Sequence, residues 1–318
     1  MKKFFFFLLA GCFLAFTIHF SACNNSGKEP AAISKEDSLK MMVERGKYLA
    51  NHVAVCLDCH SKRDFTKFSF PPAPGTEGIG ASFPFGEAEG IPGEIWAPNI
   101  TPGRLKDWTD ADYAKAIAHG VNKSGDTLFP IMPYYNYSRM AKEDLDAIIA
   151  YIKTLPASDS TVPARKLFIP LSALPPLPEF APEKNLKPDT TDKIKYGQYL
   201  VTIASCGDCH TPMKPDRTPD FAKAFSGGFT FKTPGFTVTV SNITPDSATG
   251  IGSWTEDAFL AKFRTNASDE VINADHGKQQ TPMPWAMYGK MKETDLRAIY
   301  TYLRSVPPVS NKVQKWAQ

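Results

Sequence analysis

The sequence predicts a mainly α-helical protein built from two tandem copies of one unit, each a set of helices with long ordered loops. Three observations carry this. Short segments recur in the same order in both halves, Cys-x-x-Cys-His at an offset of 150 residues and the methionine loop at 151. Each half closes on an apolar pattern of helical period, and the stretches between the helical segments are rich in Gly, Pro and Phe. A length of 318 residues agrees with two domains. The composition, 42% hydrophobic and 22% charged, is that of a globular chain and excludes a disordered, collagen-like or multi-span membrane protein. Lys and Arg total 36 against 33 Asp and Glu, a net charge of +3. With no basic cluster interleaved with aromatics, no nucleic-acid partner is expected.

Taken in order, residues 1–22 read as an export signal. Lys2 and Lys3 form the charged start, and Phe4 to Phe20 an almost continuous apolar run ending in Ser21-Ala22-Cys23. Small residues before Cys23 and the polar run after it resemble a bacterial lipoprotein signal, with Cys23 the lipidated residue and 23–40 a flexible tether. Leu9-Ala10-Gly11-Cys12 matches the lipoprotein box better by itself, but leaves an apolar core of only about six residues. The alternative is an N-terminal transmembrane anchor, for which the run is about one residue short and holds Thr17 and His19. The expected place is the periplasmic side of a bacterial membrane.

The first unit is expected over 41–157 and the second over 191–308. Arg45-Gly46-Lys47-Tyr48-Leu49 leads into Cys56-Leu57-Asp58-Cys59-His60, and Tyr196-Gly197-Gln198-Tyr199-Leu200 into Cys206-Gly207-Asp208-Cys209-His210. Asn-Ile-Thr-Pro follows at 99–102 and 242–245, then Trp108-Thr109-Asp110 and Trp254-Thr255-Glu256, then Pro130-Ile131-Met132-Pro133 and Thr281-Pro282-Met283-Pro284. The closing helices carry Leu145, Ile148, Ile149 and Ile152 in one copy and Leu296, Ile299, Tyr300 and Leu303 in the other. Pro156 and Pro307 stop them. Gly46 and Gly197 predict a close helix–helix approach in each unit. Residues 158–190 hold too many prolines for a helix or central strand and too many apolar residues for a solvated spacer. They predict an extended linker pressed against one or both units, and 309–318 form a tail.

The chemistry lies in Cys-x-x-Cys-His. Two residues between cysteines put both sulfurs near one face of a helical turn, with the next His projecting to the same centre. This is the attachment signature of c-type haem: thioether bonds from Cys56 and Cys59, and from Cys206 and Cys209, with His60 and His210 ligating iron. A structural zinc site needs its second ligand pair a few tens of residues away, far closer than Cys206 is to Cys59. A thioredoxin-like dithiol would need a βαβ context that is missing. Two covalently bound haems also give the long loops something to wrap.

The sixth iron ligand follows from the repeat. Met213 aligns with Arg63 and Met287 with Asn136, so neither is matched, whereas Met132 pairs with Met283 and Met140 with Met291. Met140 and Met291 stand five residues before Leu145 and Leu296, the spacing of a hydrophobic staple. Met132 and Met283 sit in proline-braced loops and are the expected axial ligands. Trp108, Trp254 and the Asn-Ile-Thr-Pro segments suit haem propionates or ordinary turn and core roles alike. His52 and His119 are unmatched in the other half, His276 lies in a segment without a secure alignment, and none is expected to ligate.

Residues 40–308 resemble a tandem class I c-type cytochrome. The string Gly-Ile-Gly-Ser-Trp-Thr-Glu-Asp at 250–257, with the Pro-Met-Pro loop and the helix at 296–303, resembles the cytochrome c subunits of membrane-bound alcohol and gluconate dehydrogenases. That resemblance implies a dihaem carrier of single electrons, with a dehydrogenase as donor and the respiratory chain, through a terminal oxidase or small cytochrome, as acceptor. Such subunits usually have three haem motifs and this chain has two, which leaves the partner open. The competing class is a dihaem enzyme such as a cytochrome c peroxidase or a thiosulfate-oxidising cytochrome, which needs one iron open; matched methionine loops argue against it, and no catalytic residue is expected.

Overall fold

The computed structural model describes residues 34–233 and 235–316. The signal over 1–22, Cys12, Cys23 and most of the tether lie outside the described residues. Among those described, no helix is long and apolar enough to cross a membrane.

The first half runs α1 (Lys35–Tyr48), α2 (Cys56–Cys59), α3 (Asp110–His119), α4 (Tyr134–Tyr137) and α5 (Lys142–Ile152). The second runs α6 (Lys193–Ile203), α7 (Cys206–His210), α8 (Glu256–Asn266), α9 (Asp269–Asn273), α10 (Trp285–Tyr288) and α11 (Glu293–Ser305). Strands are confined to two short antiparallel pairs, Gly93–Glu94 with Lys166–Leu167 and Thr230–Lys232 with Thr237–Thr239. The tether expected over 23–40 is corrected at its end: α1 already starts at Lys35, because Ser34 caps it by accepting from the Asp37 amide, and Glu36 and Asp37 favour the positive end of the helix dipole.

In each half the opening and closing helices cross at a glycine. A Cβ on Gly46 would stand 1.8 Å from the Ala147 carbonyl oxygen, and one on Gly197 2.0 Å from that of Ala298. Only glycine permits this backbone contact, and the four positions correspond in the repeat. The closing helices end at Ile152 and Ser305, so α5 stops four residues before Pro156, its last turn loosened through Lys153 and Thr154.

The repeat is not perfectly regular. Cys56 follows Tyr48 by eight positions, and Cys206 follows Tyr199 by seven. The extra residue is taken up by a π-helical turn over Leu49–Val53, closed by the Ala54 amide on the Leu49 carbonyl; in the second half Ala204 bonds Leu200 in ordinary α spacing.

One apolar core runs through both halves, from Leu49, Leu145 and Ile148 to Leu200, Leu296 and Ile299. The two halves meet by a reciprocal exchange. Tyr48 donates to Asp295 at 2.6 Å, and its repeat equivalent Tyr199 donates to Asp144, the equivalent of Asp295, at 2.7 Å. Each hydroxyl also accepts from a backbone N–H of the opposite half, Lys292 to Tyr48 and Ala141 to Tyr199. Residue i meets j and the equivalent of i meets the equivalent of j, the signature of a two-fold contact, here within one chain. The copies differ in what completes each carboxylate. Arg45 forks onto Asp144 with two bonds of 2.9 and 2.8 Å, and Tyr196, at the equivalent position, reaches Asp295 at 3.3 Å.

The linker lies on the first half, as its apolar content predicts. Lys166–Leu167 pair with Gly93–Glu94, the Pro175 and Pro176 carbonyls accept from Tyr135, and Asn185 donates to the Ser138 carbonyl. Phe168 and Leu186 remain exposed. The tail packs on the second half through Asn311 to the Ser226 carbonyl and the Thr239 amide to Lys315.

Candidate functional site

Each Cys-x-x-Cys-His forms a single helical turn introduced by a left-handed residue, Val55 at φ 43° and Ser205 at φ 54°. Such backbone is costly for a residue with a side chain, above all for β-branched valine, and marks a conformation imposed by its surroundings. It turns the chain sharply from the opening helix into the cysteine turn. A tyrosine at the end of α4 or α10 pins that bend: Tyr137 donates to the Ala54 carbonyl at 2.8 Å and Tyr288 to the Ala204 carbonyl at 2.6 Å.

The two histidines are held alike. His60 Nδ1 bonds the Pro98 carbonyl at 2.7 Å, and His210 Nδ1 bonds the Ser241 carbonyl at 2.8 Å. A carbonyl accepts only from an N–H, so Nδ1 carries the proton and Nε2 keeps its lone pair. Burial lowers both imidazoles against protonation, His210 to about 4. A neutral imidazole with Nδ1 tethered to a carbonyl is the form that ligates a metal. Burial likewise pushes the Cys56 and Cys206 thiols up to about 12.

The carbonyls that orient the histidines immediately precede Asn-Ile-Thr-Pro. There Asn99 donates to the Ser158 and Ser160 carbonyls and accepts from the Thr101 amide, while Asn242 donates to the Val309 carbonyl and accepts from the Thr244 amide. Of the two readings open for these segments, the turn role is the one these bonds express: each staples the histidine-holding loop to the chain leaving the closing helix. Tyr300 donates to the Trp254 carbonyl, and Trp108 packs edge-on against Tyr113.

The methionines divide. Met140 and Met291 are 1% exposed and sealed in the core between the closing helices and the opening ones. Met132 and Met283 are only partly buried and lie on the margin of the core together with Cys56 and Cys206. Each sits in a tight turn, with the amide two residues on, Tyr134 or Trp285, bonded to its carbonyl. A second apolar cluster, Ala81, Phe85, Ile91, Ile95 and Ala97, carries Cys59, Phe129 and Ile131 on its edge and so joins the attachment turn to the approach to Met132.

His119 and His276 have structural partners, the Pro178 and Val271 carbonyls, and His276 stacks on Phe68 with centroids 4.0 Å apart. His52 is half-buried at the boundary between the halves, its protonation disfavoured by burial.

These residues fit a haem. Each Cys-x-x-Cys-His turn offers one neutral imidazole beside two thiols, a donor set suited to a metal that brings its own equatorial ligands. Two buried polar atoms in the second half have no partner among the described residues: the Trp285 indole N–H, two residues from Met283, and the Ser226 hydroxyl, next to the Gly227 amide that bonds the His210 carbonyl. Buried polar groups are seldom left unpaired, and a polar-edged ligand lodged between these segments is the kind of group that would satisfy them.

The tertiary structure adds residues that the motifs do not announce. Asn136, in α4 of the first half, donates to Ser205 and Asp208 of the second cysteine turn at 2.9–3.0 Å. Cys59 lies near enough to Cys209 to act on it electrostatically, and Tyr288 stands close to Cys206, Cys209, Tyr137 and Asp58 at once. Groups of the two cysteine turns thus act on one another across the boundary between the halves. The matched pairs Tyr48 with Tyr199 and Asp144 with Asp295 were visible in the repeat, but nothing local signals that they bond across it.

No protein-family model matches the chain. It is 30% identical over 298 residues to the gluconate 2-dehydrogenase cytochrome c subunit of Pantoea cypripedii, covering 87% of this chain and 62% of that protein. It is 30% identical over 310 residues to the fructose dehydrogenase cytochrome subunit of Gluconobacter japonicus, covering 92% and 58%. To a diheme c-type cytochrome of Cereibacter sphaeroides it is 26% identical over 271 residues, 80% of this chain and 82% of that one. The chain spans about three fifths of the length of the dehydrogenase cytochrome subunits that it matches.

Proposed function

We propose that this chain, a c-type cytochrome by its homology, carries single electrons as a dihaem protein: Cys56 and Cys59 attach the first haem and Cys206 and Cys209 the second, His60 and His210 are proximal ligands, and Met132 and Met283 are distal ones. The observation that carries this is the matched pair of sites, each with a carbonyl-tethered neutral histidine in its cysteine turn and a methionine loop on the margin of the same core. Bound haem supplies a one-electron iron couple, which thioether ligation shifts toward the reduced state.

The chain's own part is positioning. The Pro98 and Ser241 carbonyls fix the histidine rings, Tyr137 and Tyr288 brace the attachment turns, and the Tyr–Asp exchange keeps the halves in one relation.

The named relatives are cytochrome subunits of gluconate and fructose dehydrogenases, and a dehydrogenase is accordingly the donor we propose, with the respiratory chain as acceptor. The apolar N-terminal run supports export, and Ser21-Ala22-Cys23 supports lipid anchoring at Cys23 on the periplasmic side. The test is a haem count on the purified holoprotein with spectroscopy of the resting state. Two covalent haems per chain, both low-spin with the weak far-red methionine–iron band, are expected; one haem, or a high-spin centre that turns over peroxide, would overturn the reading.

A further inference from the structure

The loops that follow the two attachment turns differ in length. Arg63 pairs with Pro72 and Met213 with Pro219, closing equivalent loops; the first takes nine residue steps and the second six, so the first half carries three residues more. The longer loop crosses to the second half. The Phe68 amide donates to the Ile272 carbonyl at 3.0 Å, and the Phe68 ring stacks on His276 and packs with Ile272 and Trp285. Ser69, 1% exposed, donates its hydroxyl to the Met283 carbonyl at 2.5 Å and accepts from the Trp285 amide at 3.0 Å. Its own amide reaches Gln280 Oε1 at 3.3 Å.

Ser69 and Phe70 both hold left-handed backbone, at φ 67° and 49°. Two consecutive non-glycine residues in that region persist only where surrounding contacts impose them, and at Ser69 those contacts are the second half's methionine loop. The equivalent loop of the second half also crosses, but Arg217 donates to the Gly90 carbonyl and not to the Met132 turn. Among the described residues the Met132 loop is bonded locally, the Met132 amide to Phe129 and the Tyr134 amide to Met132, and from the linker by Arg165 to the Thr127 carbonyl.

We propose that Ser69 is a positioning residue for the second haem. Through the Met283 carbonyl and the Trp285 amide it fixes the turn that presents the Met283 sulfur, so the first half sets the strength of the second iron–sulfur bond. This rests on Met283 being the axial ligand. Ligand placement of this kind governs both the persistence of a metal–ligand bond and the potential it sets.

The test uses the holoprotein with Ser69→Ala and Ser69→Gly. Glycine accepts φ 67° without strain, so it removes the hydroxyl while relieving the backbone, and it carries the test if the alanine variant does not mature. The readouts are a redox titration resolving both haems, the far-red methionine band, and hydrogen exchange of the amides 281–287. Both variants should retain two haems, shift one potential downward, lose up to half of the far-red band and exchange faster over 281–287, with the other potential unmoved. Unchanged potentials, or an equal shift of both, would overturn the proposal. Met283→Ala separates it from its premise. If that variant keeps the band at both haems, the ligand assignment has failed; if it removes half of the band while both Ser69 variants leave it whole, the ligand stands and the role of Ser69 falls.

Discussion

Tyr48→Phe and Tyr199→Phe remove equivalent hydroxyls from equivalent places, yet the structure requires unequal costs. Each hydroxyl donates to a carboxylate that is almost wholly buried, Asp295 at 4% exposure and Asp144 at 1%. A hydrogen bond to a charged group contributes about 1.5–3 kcal/mol, and a buried charge left short of partners costs more than the bond alone. Once Tyr199 is gone, Asp144 keeps both bonds from Arg45, and the loss should stay near the lower bound, about 1.5 kcal/mol. Without Tyr48, Asp295 keeps only Tyr196 at 3.3 Å and Thr294 at 3.4 Å, with no cationic side chain in salt-bridge contact among the described residues. That loss should approach about 3 kcal/mol. With a urea slope near about 3 kcal/mol per molar, the midpoints fall by about 0.5 M and about 1 M respectively. Urea unfolding of the two holoprotein variants, followed by haem absorbance, measures the difference. Adding Asp295→Asn to Tyr48→Phe should recover most of the loss, because it removes the stranded charge, and a double-mutant cycle isolates the coupling. Equal costs, or a larger one for Tyr199→Phe, would refute the assignment of Arg45 as the source of the asymmetry.

Three further outcomes follow from the same geometry. Met132→Ala and Met283→Ala should each lower one potential, by on the order of a few tenths of a volt within the roughly 0.8 V that axial ligands span; Met140→Leu and Met291→Leu should leave both potentials in place, as a redox titration will read. Gly46→Ala and Gly197→Ala would each drive a Cβ into a backbone carbonyl, costing about 3 kcal/mol or more, visible as a lower thermal midpoint and poor haem incorporation. Asn99→Ala and Asn242→Ala each cut the staple behind one histidine loop; about 1–3 kcal/mol is lost, and hydrogen exchange should rise in the corresponding half only.

Much of this protein is legible along the chain because it is local or repeated. A Cys-x-x-Cys-His turn needs only adjacent residues. The helical periods around Leu145 and Leu296 follow from side-chain spacing, and Met132 and Met283 occupy matching places in the two halves. Gly46 and Gly197 announced a close helix crossing because no other residue permits one. Other features were present in the sequence without a legible meaning. The one-residue surplus between Tyr48 and Cys56 could have been absorbed in a loop, and only the folded helix shows it as a π-turn. The tether ended sooner than its composition suggested because Ser34 offered a cap.

What the chain could not disclose on its own was which surfaces of the two units meet. Tyr48, Asp144, Tyr199 and Asp295 are far apart in sequence and unremarkable in their own helices, and their bonds exist only once the two halves are opposed. Ser69 is more hidden still, since it has no counterpart in the second half to draw attention to it. Covalent spacing and helical period are properties of neighbours and so survive in the linear order. Long-range pairing depends on which buried donors find acceptors when two faces close, and that was decided by the packing of the halves around one shared core.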